Sequence, residues 1–231
     1  HVICIDDDHN SYIRQWYPHI KSVHTMPVGA AKAENAVHTV QGRKAGILFP
    51  ATYLNPQDYY DLITALPDNM KKYTKAVLNC LLSDTHCTFE AAAMQVYKEY
   101  NEHDTGMTFP VFAQSNFLAD VYVRALYRER VLEAVAESRL PVRVFGEKYQ
   151  ESPVGNYSNV TILPQMSYCE ALSAIAESAC VLNVMPWFKS GIHDRVLNAM
   201  YNGAVGITDS SRMLDTCFTP QEDYIAYSLD D

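Results

Sequence analysis

The last third of the chain alternates short apolar runs with amphipathic segments. Each apolar run is bounded by polar or turn residues, which is typical of a buried strand. The intervening segments repeat their apolar residues at helical spacing, and the second of them ends on Gly203. Such alternation predicts βαβ units and a parallel sheet covered on both faces. We therefore predict an α/β fold, a Rossmann-like parallel sheet flanked by helices, with strands at 142–147, 159–165, 180–186 and 204–209 and helices at 167–179 and 193–203.

The first two thirds contain similar elements in a less regular order. A Tyr-rich stretch repeats Leu, Met and Tyr every three or four residues, which predicts helices at 68–82 and 89–100. We interpret this stretch as a helical insertion at about 56–108. A long helix should follow at 115–139, with its Arg/Glu face solvated. The remaining predictions are strands at 2–6, 22–29 and 46–54, a short helix at 11–20 and a polar connector at 30–44.

Composition excludes several classes of protein. The 231 residues include 18 Lys and Arg against 27 Asp and Glu, and the net charge of −9 argues against a nucleic-acid partner. A hydrophobic fraction of 48% is ordinary for a folded protein, and no apolar stretch approaches the ~18 residues of a membrane span. The six cysteines show neither CxxC nor zinc spacing. We expect them to be buried, reduced thiols in a cytoplasmic protein.

The loop after the strand at 180–186 carries the most informative chemistry. In an open parallel sheet, ligands bind beyond the carboxyl ends of the strands. Ser190 is placed to cap the next helix, and Gly191 permits close backbone approach to a ligand. A helix start attracts phosphate, and Lys189 and Arg195 flank this one with positive charge. The alternative is an ordinary strand–helix junction. Trp187 and Phe188 either pack under the loop or stack on a substrate ring.

Three segments resemble a known family. FGE (145–147), the run at 160–188 and GIHDRVLNAMYNGAVGITD (191–209) resemble the nucleotide-sugar-binding half of group 1 glycosyltransferases of the GT-B fold, in the bacterial branch that includes spore-maturation-type enzymes. A helix of the form xxLxAMxxG followed by a VxxTD strand is that family's phosphate-and-ribose element. The resemblance implies a C-terminal GT-B lobe over 41–231 and a connector, or remnant of a preceding lobe, at 1–40.

The resemblance also implies donor-binding residues. Backbone amides of Gly191, Ile192 and His193 would approach the diphosphate, with Asp194 shaping the helix start and Arg195 or Lys189 balancing charge. Asn198 would face the ribose. The base pocket, its rim and the loop near the phosphates would be formed by Leu163, Pro164, Gln165, Met166, Gly146, Glu147 and Thr52.

Each of these residues also has a structural interpretation. His193 and Asp194 can simply form the first turn of a helix, and Arg195 can pair with a surface carboxylate. Met166 is more typical of a core than of a ligand contact. Retaining members of the family place two Glu eight positions apart, where this chain has Ser190 and Asn198. No catalytic residue is assigned, since in this fold the base usually comes from the other lobe.

A rival site is the acidic run from Asp6 to His9. Carboxylates two residues apart after a strand hold a divalent metal on the diphosphate in GT-A glycosyltransferases. That motif lies well inside GT-A chains, so we interpret the run here as a solvated strand end. No metal or other cofactor is expected, since a helix start and basic side chains can stabilise a diphosphate.

The predicted function is a glycosyltransferase domain that binds a nucleoside-diphosphate sugar for transfer of a hexose to a glycan or other acceptor. The acceptor is expected to bind mainly to an N-terminal lobe outside this sequence, so residues 1–231 alone should be inactive. The alternatives are a non-catalytic nucleotide-sugar-binding module and a GT-B-like sugar-nucleotide epimerase.

Overall fold

A computed structural model describes residues 1–34, 40–186 and 188–230. Part of the predicted polar connector, residues 35–39, and Trp187 lie outside the described residues. The strands are β1 (Val2–Cys4), β2 (Val23–Thr25), β3 (Lys44–Pro50), β4 (Val142–Phe145), β5 (Val160–Leu163), β6 (Ser178–Asn183), β7 (Val205–Asp209) and β8 (Ile225–Tyr227). The helices are α1 (Asp7–Trp16), α2 (Pro56–Ala65), α3 (Asp68–Ser83), α4 (Phe89–Thr105), α5 (Phe109–Ser115), α6 (Leu118–Glu137), α7 (Tyr168–Ala176), α8 (Asp194–Tyr201) and α9 (Arg212–Cys217).

Six strands form one parallel sheet in the order β5-β4-β3-β6-β7-β8. The chain moves outward from β3 to β5 and then returns to place β6 on the other side of β3. This is the doubly wound order in which ligands bind where the direction reverses, at the carboxyl ends of the two central strands. The predicted Rossmann-like α/β fold is therefore confirmed, and β3 and β6 locate its ligand crevice.

The sequence of β3 shows why this strand lies at the centre of the sheet. Ile47, Leu48 and Phe49 are consecutive and all buried, as expected for a strand covered on both faces. Ile47 and Phe49 belong to the core that includes Leu132 of α6. Leu48 points to the opposite layer, where it joins a core with α7 and α8.

The connection from β3 to β4 is built from α2 to α6. The helices predicted at 68–82 and 89–100 are present as α3 and α4. The long helix predicted at about 115–139 is present as α6, and a short break separates it from α5, which was not predicted. The break contains Asn116, which is buried and bonds through its side chain to the Thr74 hydroxyl and to the Phe112 carbonyl oxygen.

The N-terminal segment forms its own small parallel sheet from β1 and β2, connected by α1. The helix begins four residues before the prediction because the Asp6 carboxylate caps it, accepting hydrogen bonds from the amides of Asp8 and His9. Asp6 is only 1% exposed, so the interpretation of this run as a solvated strand end is wrong for that residue. An isolated antiparallel bridge joins Asp6 to Gly191.

Three further points concern individual expectations. α9 and β8 were not predicted; Ser211 caps α9 by accepting a hydrogen bond from the Leu214 amide. All six cysteines are free as expected, but only Cys4 is buried: Cys80, Cys87 and Cys180 are half-buried, and Cys169 and Cys217 are exposed. Among the described residues, no helix combines the length and apolar character needed to cross a membrane. The division near residue 40 and the insertion at 56–108 stay predictions.

A close contact between the ends of β3 and β4 generates the first test. Gly146 has φ of +141°, and a methyl group added there would lie 2.4 Å from the Ala51 carbonyl oxygen. Gly146→Ala should therefore lower the free energy of unfolding by at least about 2 kcal/mol, measured by urea denaturation. Gly29→Ala is the matched control, since no atom lies within 4 Å of its added Cβ. Equal stability of the two variants would contradict the close approach.

Candidate functional site

Arg195, in the first turn of α8, lies where the two central strands of the sheet end. Its Nε donates a hydrogen bond to the Pro50 carbonyl oxygen at 2.9 Å, and its Nη1 donates to Asn183 Oδ1 at 2.7 Å. Pro50 ends β3 and Asn183 ends β6. The guanidinium therefore occupies the point at which the strand order reverses, the expected position of a ligand in this fold.

The electrostatic environment of Arg195 is unusual for a cation. Burial, together with the charge of Arg128 on α6, lowers its pKa to about 10, so the guanidinium stays charged at neutral pH. Within the described part of the chain, no carboxylate forms an ion pair with Arg195. A desolvated cation bonded to neutral oxygens is unfavourable in isolation. An anion placed against it would offset this cost.

His193 and Asp194 form a pair beside Arg195. His193 Nδ1 lies 2.7 Å from Asp194 Oδ1 and 3.2 Å from the Arg195 amide nitrogen. One ring nitrogen cannot both donate to the carboxylate and accept from the amide, and we assign the proton to Nδ1 because the carboxylate contact is shorter. Burial lowers the pKa of His193, and the His193 hydrogen bond lowers that of Asp194. The pair is therefore a neutral imidazole oriented by a carboxylate.

A cavity of about 200 Å³ connects these side chains to solvent. It is lined by the predicted residues His193, Asp194, Arg195 and Asn198, and by Pro50, Phe145 and one face of α7. Tyr168, at the first position of α7, borders the same cavity and is 58% exposed. The structure therefore brings together the predicted donor-binding residues at and just before α8.

The predicted base-pocket residues lie elsewhere. Leu163, Pro164, Gln165 and Met166 line a groove with Cys169, Glu170 and Ser173, which lie on the opposite face of α7 from Tyr168 and Leu172. The two openings are thus separated by the body of α7. Gln165 Nε2 donates to Glu147 Oε1 at 3.3 Å, which joins the ends of β5 and β4. Gly146 and the exposed Thr52 are in contact across the ends of β4 and β3.

Gly191 was predicted to let the backbone approach a ligand, but it approaches another part of this chain. A Cβ at Gly191 would lie 2.8 Å from the Ile5 carbonyl oxygen, so the close approach is to the N-terminal segment of this chain. The neighbouring Ser190 amide donates to Asp6 Oδ2 at 3.0 Å. Ile192 is buried in a core with Val196 and Leu214. These contacts hold the loop before α8 in place.

Lys189 is on a different side of the loop from Arg195. It borders a second cavity, of about 440 Å³, together with Asp209 at the end of β7 and Tyr227 at the end of β8. Burial lowers the pKa of the Lys189 amine, while Asp209 acts in the opposite direction. The two cations that were expected to share a diphosphate thus line separate cavities.

Asn198, a predicted ribose contact, and Asp8, in the rival acidic run, both have partners within the chain. Asn198 Oδ1 accepts a hydrogen bond from the Ala31 amide at 2.8 Å, although the residue still borders the Arg195 cavity. Asp8 pairs with Arg212, and Ser190 Oγ donates to Asp8. Among the described residues, no group of three or more His, Cys, Asp and Glu side chains is arranged to hold a metal ion.

Several site residues were missed by the sequence analysis. The Arg/Glu face of α6 is not fully solvated: burial lowers the pKa of Arg128, whose charge acts on Arg195 and His193, and Glu129 accepts a 2.5 Å hydrogen bond from the Tyr53 hydroxyl. No local pattern distinguishes this face from an exposed one. Asp209 could have been found, because it ends an apolar strand at the ligand-binding edge.

Asp209 generates a prediction about stability and pH. Burial raises its pKa from 3.8 to about 6, so the native state binds more protons than the unfolded chain between these values. Stability contributed by this group is therefore present below pH 4 and lost as the pH rises through about 6. Asp209→Asn should raise the free energy of unfolding at pH 7.5 by up to about 3 kcal/mol, with no gain at pH 4.

Urea denaturation of both proteins at the two pH values provides the measurement. Asp215→Asn is the matched control on the wall of the same cavity, because its carboxylate accepts hydrogen bonds from Ser210 and Tyr224 and their loss should lower stability. A wild-type chain that is more stable than Asp209→Asn at pH 7.5 would refute the assignment of a destabilising buried carboxylate.

Comparison with known proteins bears on the segment that carries this site. No curated protein matches the chain. A family model described as glycosyl transferase-like does match, and it covers residues 124–231. The matched segment begins within α6 and includes β4 to β8, together with Arg128, Lys189, Arg195 and Asp209. The most specific conclusion from the comparison is that residues 124–231 are similar to glycosyltransferase-like domains, which supports glycosyl transfer as the general activity.

Proposed function

We propose that this chain binds a nucleoside-diphosphate sugar and takes part in transfer of its hexose to a glycan or other acceptor, as a GT-B group 1 enzyme of the spore-maturation branch. The observation that carries the proposal is the part-buried Arg195 guanidinium, bonded to neutral oxygens at the ends of β3 and β6. A diphosphate is the part of the donor that would stabilise this charge.

The position of Arg195 suits the leaving group of the reaction. In transfer, the acceptor oxygen forms a bond to the anomeric carbon while the bond from that carbon to the diphosphate oxygen breaks. The bonding electrons leave with the diphosphate, and the acceptor hydroxyl loses its proton. Negative charge therefore grows on the diphosphate, next to Arg195 and the start of α8. No residue is assigned here as the base that takes the proton.

The nucleoside would lie toward β4 and β5. Tyr168 offers a largely exposed aromatic ring at the mouth of the Arg195 cavity, suited to stacking on a base. Glu147 and Gln165 are joined at the ends of β4 and β5, on the opposite side of α7 from Tyr168. We propose that the reaction needs no metal or cofactor and takes place in the cytoplasm.

A second candidate is a non-catalytic module that binds the same donor. It is favoured by the contacts of Ser190 and Asn198, which stand where retaining relatives would have glutamates. The Ser190 hydroxyl donates to Asp8, and Asn198 Oδ1 accepts from Ala31, so both side chains fix the N-terminal segment. Donor hydrolysis or transfer by the protein would distinguish an enzyme from such a module.

The first test removes the Arg195 charge. Arg195→Met should weaken binding of UDP or GDP by at least about tenfold and leave uridine or guanosine binding unchanged, because a charge-assisted phosphate contact is lost. Isothermal titration calorimetry gives both affinities. Arg195→Lys should recover part of the loss, and Arg130→Met, at an exposed position on α6, is the matched control. Equal loss for nucleoside and nucleotide would contradict the assignment.

The second test concerns metal. If Arg195 and the helix start neutralise the diphosphate, UDP or GDP should raise the melting temperature equally with excess EDTA and with Mg²⁺. At a nucleotide concentration ~100 times the dissociation constant, the stabilisation should be ~2.7 kcal/mol. Asp8→Asn should leave this shift unchanged. A shift that requires Mg²⁺ and disappears in Asp8→Asn would instead support a metal site in the acidic run.

A further inference from the structure

The second cavity, which we call the β7–β8 cavity, is formed by four segments at the carboxyl edge of the sheet. They are the loop before α8, with Lys189; the loop from Asp209 to Arg212 after β7; the end of β8 from Ala226 to Leu229; and Thr85 and His86 between α3 and α4. Its volume of about 440 Å³ is within the range of small-molecule sites, ~300–1,000 Å³. Its walls include hydroxyls as well as charged groups.

Asp209 contributes an acceptor that the described residues do not satisfy. The side chain is 3% exposed. Its Oδ1 accepts a hydrogen bond from the Met185 amide at 2.6 Å, whereas Oδ2 is buried and has no hydrogen-bond partner among the described residues. An unsatisfied buried carboxylate oxygen costs free energy that a ligand donor can recover.

Lys189 contributes a donor on the same cavity. It is 8% exposed, and in the described ranges its amine forms neither an ion pair within 4 Å nor a side-chain hydrogen bond. The charges of Lys189 and Asp209 nevertheless stabilise each other. The two side chains thus face one cavity at a distance greater than that of a direct ion pair.

We infer that the β7–β8 cavity binds the hexose of the donor, with one hydroxyl donating to the Asp209 carboxylate and a neighbouring hydroxyl accepting from Lys189 Nζ. The inference rests on the proposed function. A single buried anion and a single buried cation balance each other, so the cavity suits a neutral ring with adjacent hydroxyls better than a further phosphate. The other nearby cation, Arg212, is paired with Asp8.

The location relative to Arg195 supports the same occupant. Arg195 bonds to Asn183 Oδ1, the Tyr227 hydroxyl donates to the Asn183 carbonyl oxygen at 2.8 Å, and Tyr227 borders the β7–β8 cavity. Asn183 ends β6 and Asp209 ends the adjacent β7. The strand ends that border Arg195 and the β7–β8 cavity are therefore adjacent in the sheet, ~4.8 Å apart, and we propose that the sugar of a donor held at Arg195 extends toward this cavity.

The test compares each nucleotide with its sugar conjugate, using the whole chain. Isothermal titration calorimetry would measure UDP and GDP against UDP-glucose, UDP-galactose and GDP-mannose for wild type, Asp209→Asn and Lys189→Met. Each substitution should weaken the tightest-binding sugar nucleotide roughly tenfold and the matching nucleotide less than about twofold. Asp215→Asn, on the same wall but bonded to Ser210 and Tyr224, should change neither affinity.

The outcomes separate this inference from the function on which it rests. If wild type binds no nucleotide and no sugar nucleotide, both fall. If it binds UDP or GDP but none of the conjugates, or if the substitutions weaken nucleotide and conjugate equally or not at all, the hexose assignment is overturned while the donor site stands.

Discussion

The two hydrogen bonds of the Arg195 guanidinium join the ends of the strands on which the whole sheet is organised. β3 and β6 are neighbours in space, yet the helices α2 to α7 and two strands separate them in the chain. Their ends therefore leave a crevice in which backbone carbonyl oxygens have no further strand to pair with. Arg195 satisfies one of these oxygens, on Pro50, and the side chain of Asn183. These bonds fix the position of the guanidinium charge, and a ligand in the crevice would have to bind next to it.

The loop before α8 is held by a second set of contacts. These contacts separate the surroundings of Lys189 from those of Arg195. Asp6 accepts the Ser190 amide and Asp8 accepts the Ser190 hydroxyl, while the hydroxyl of Ser211 donates to the Gly191 carbonyl oxygen. The loop is thus fixed from both sides, by the N-terminal segment and by the start of α9. Because its conformation is set in this way, Lys189 faces β7 and β8 whereas Arg195 faces β3.

The sequence was sufficient for five of the six strands of the sheet and for part of the site. Strands such as β3 are buried on both faces, so a continuous apolar run identifies them without any tertiary information. Arg195 was found because it follows a strand end and a glycine. What local pattern could not show was which face of α7 or α6 borders a cavity, or that Gly191 contacts Ile5 rather than a ligand. These depend on segments far apart in the chain.

The distribution of unfavourable electrostatics along the carboxyl edge is itself informative. Burial lowers the pKa of Arg195 and of Lys189 and raises that of Asp209, so all three groups lose solvation at the ends of adjacent strands. The acidic carboxylates elsewhere on this edge, Asp6 and Asp8, are by contrast satisfied by amides, Ser190 and Arg212. Among the described residues, Arg195, Lys189 and Asp209 form no direct ion pair, so the fold concentrates partly unsatisfied charges in one place. Such a concentration is expected of a site arranged for a ligand rather than for stability.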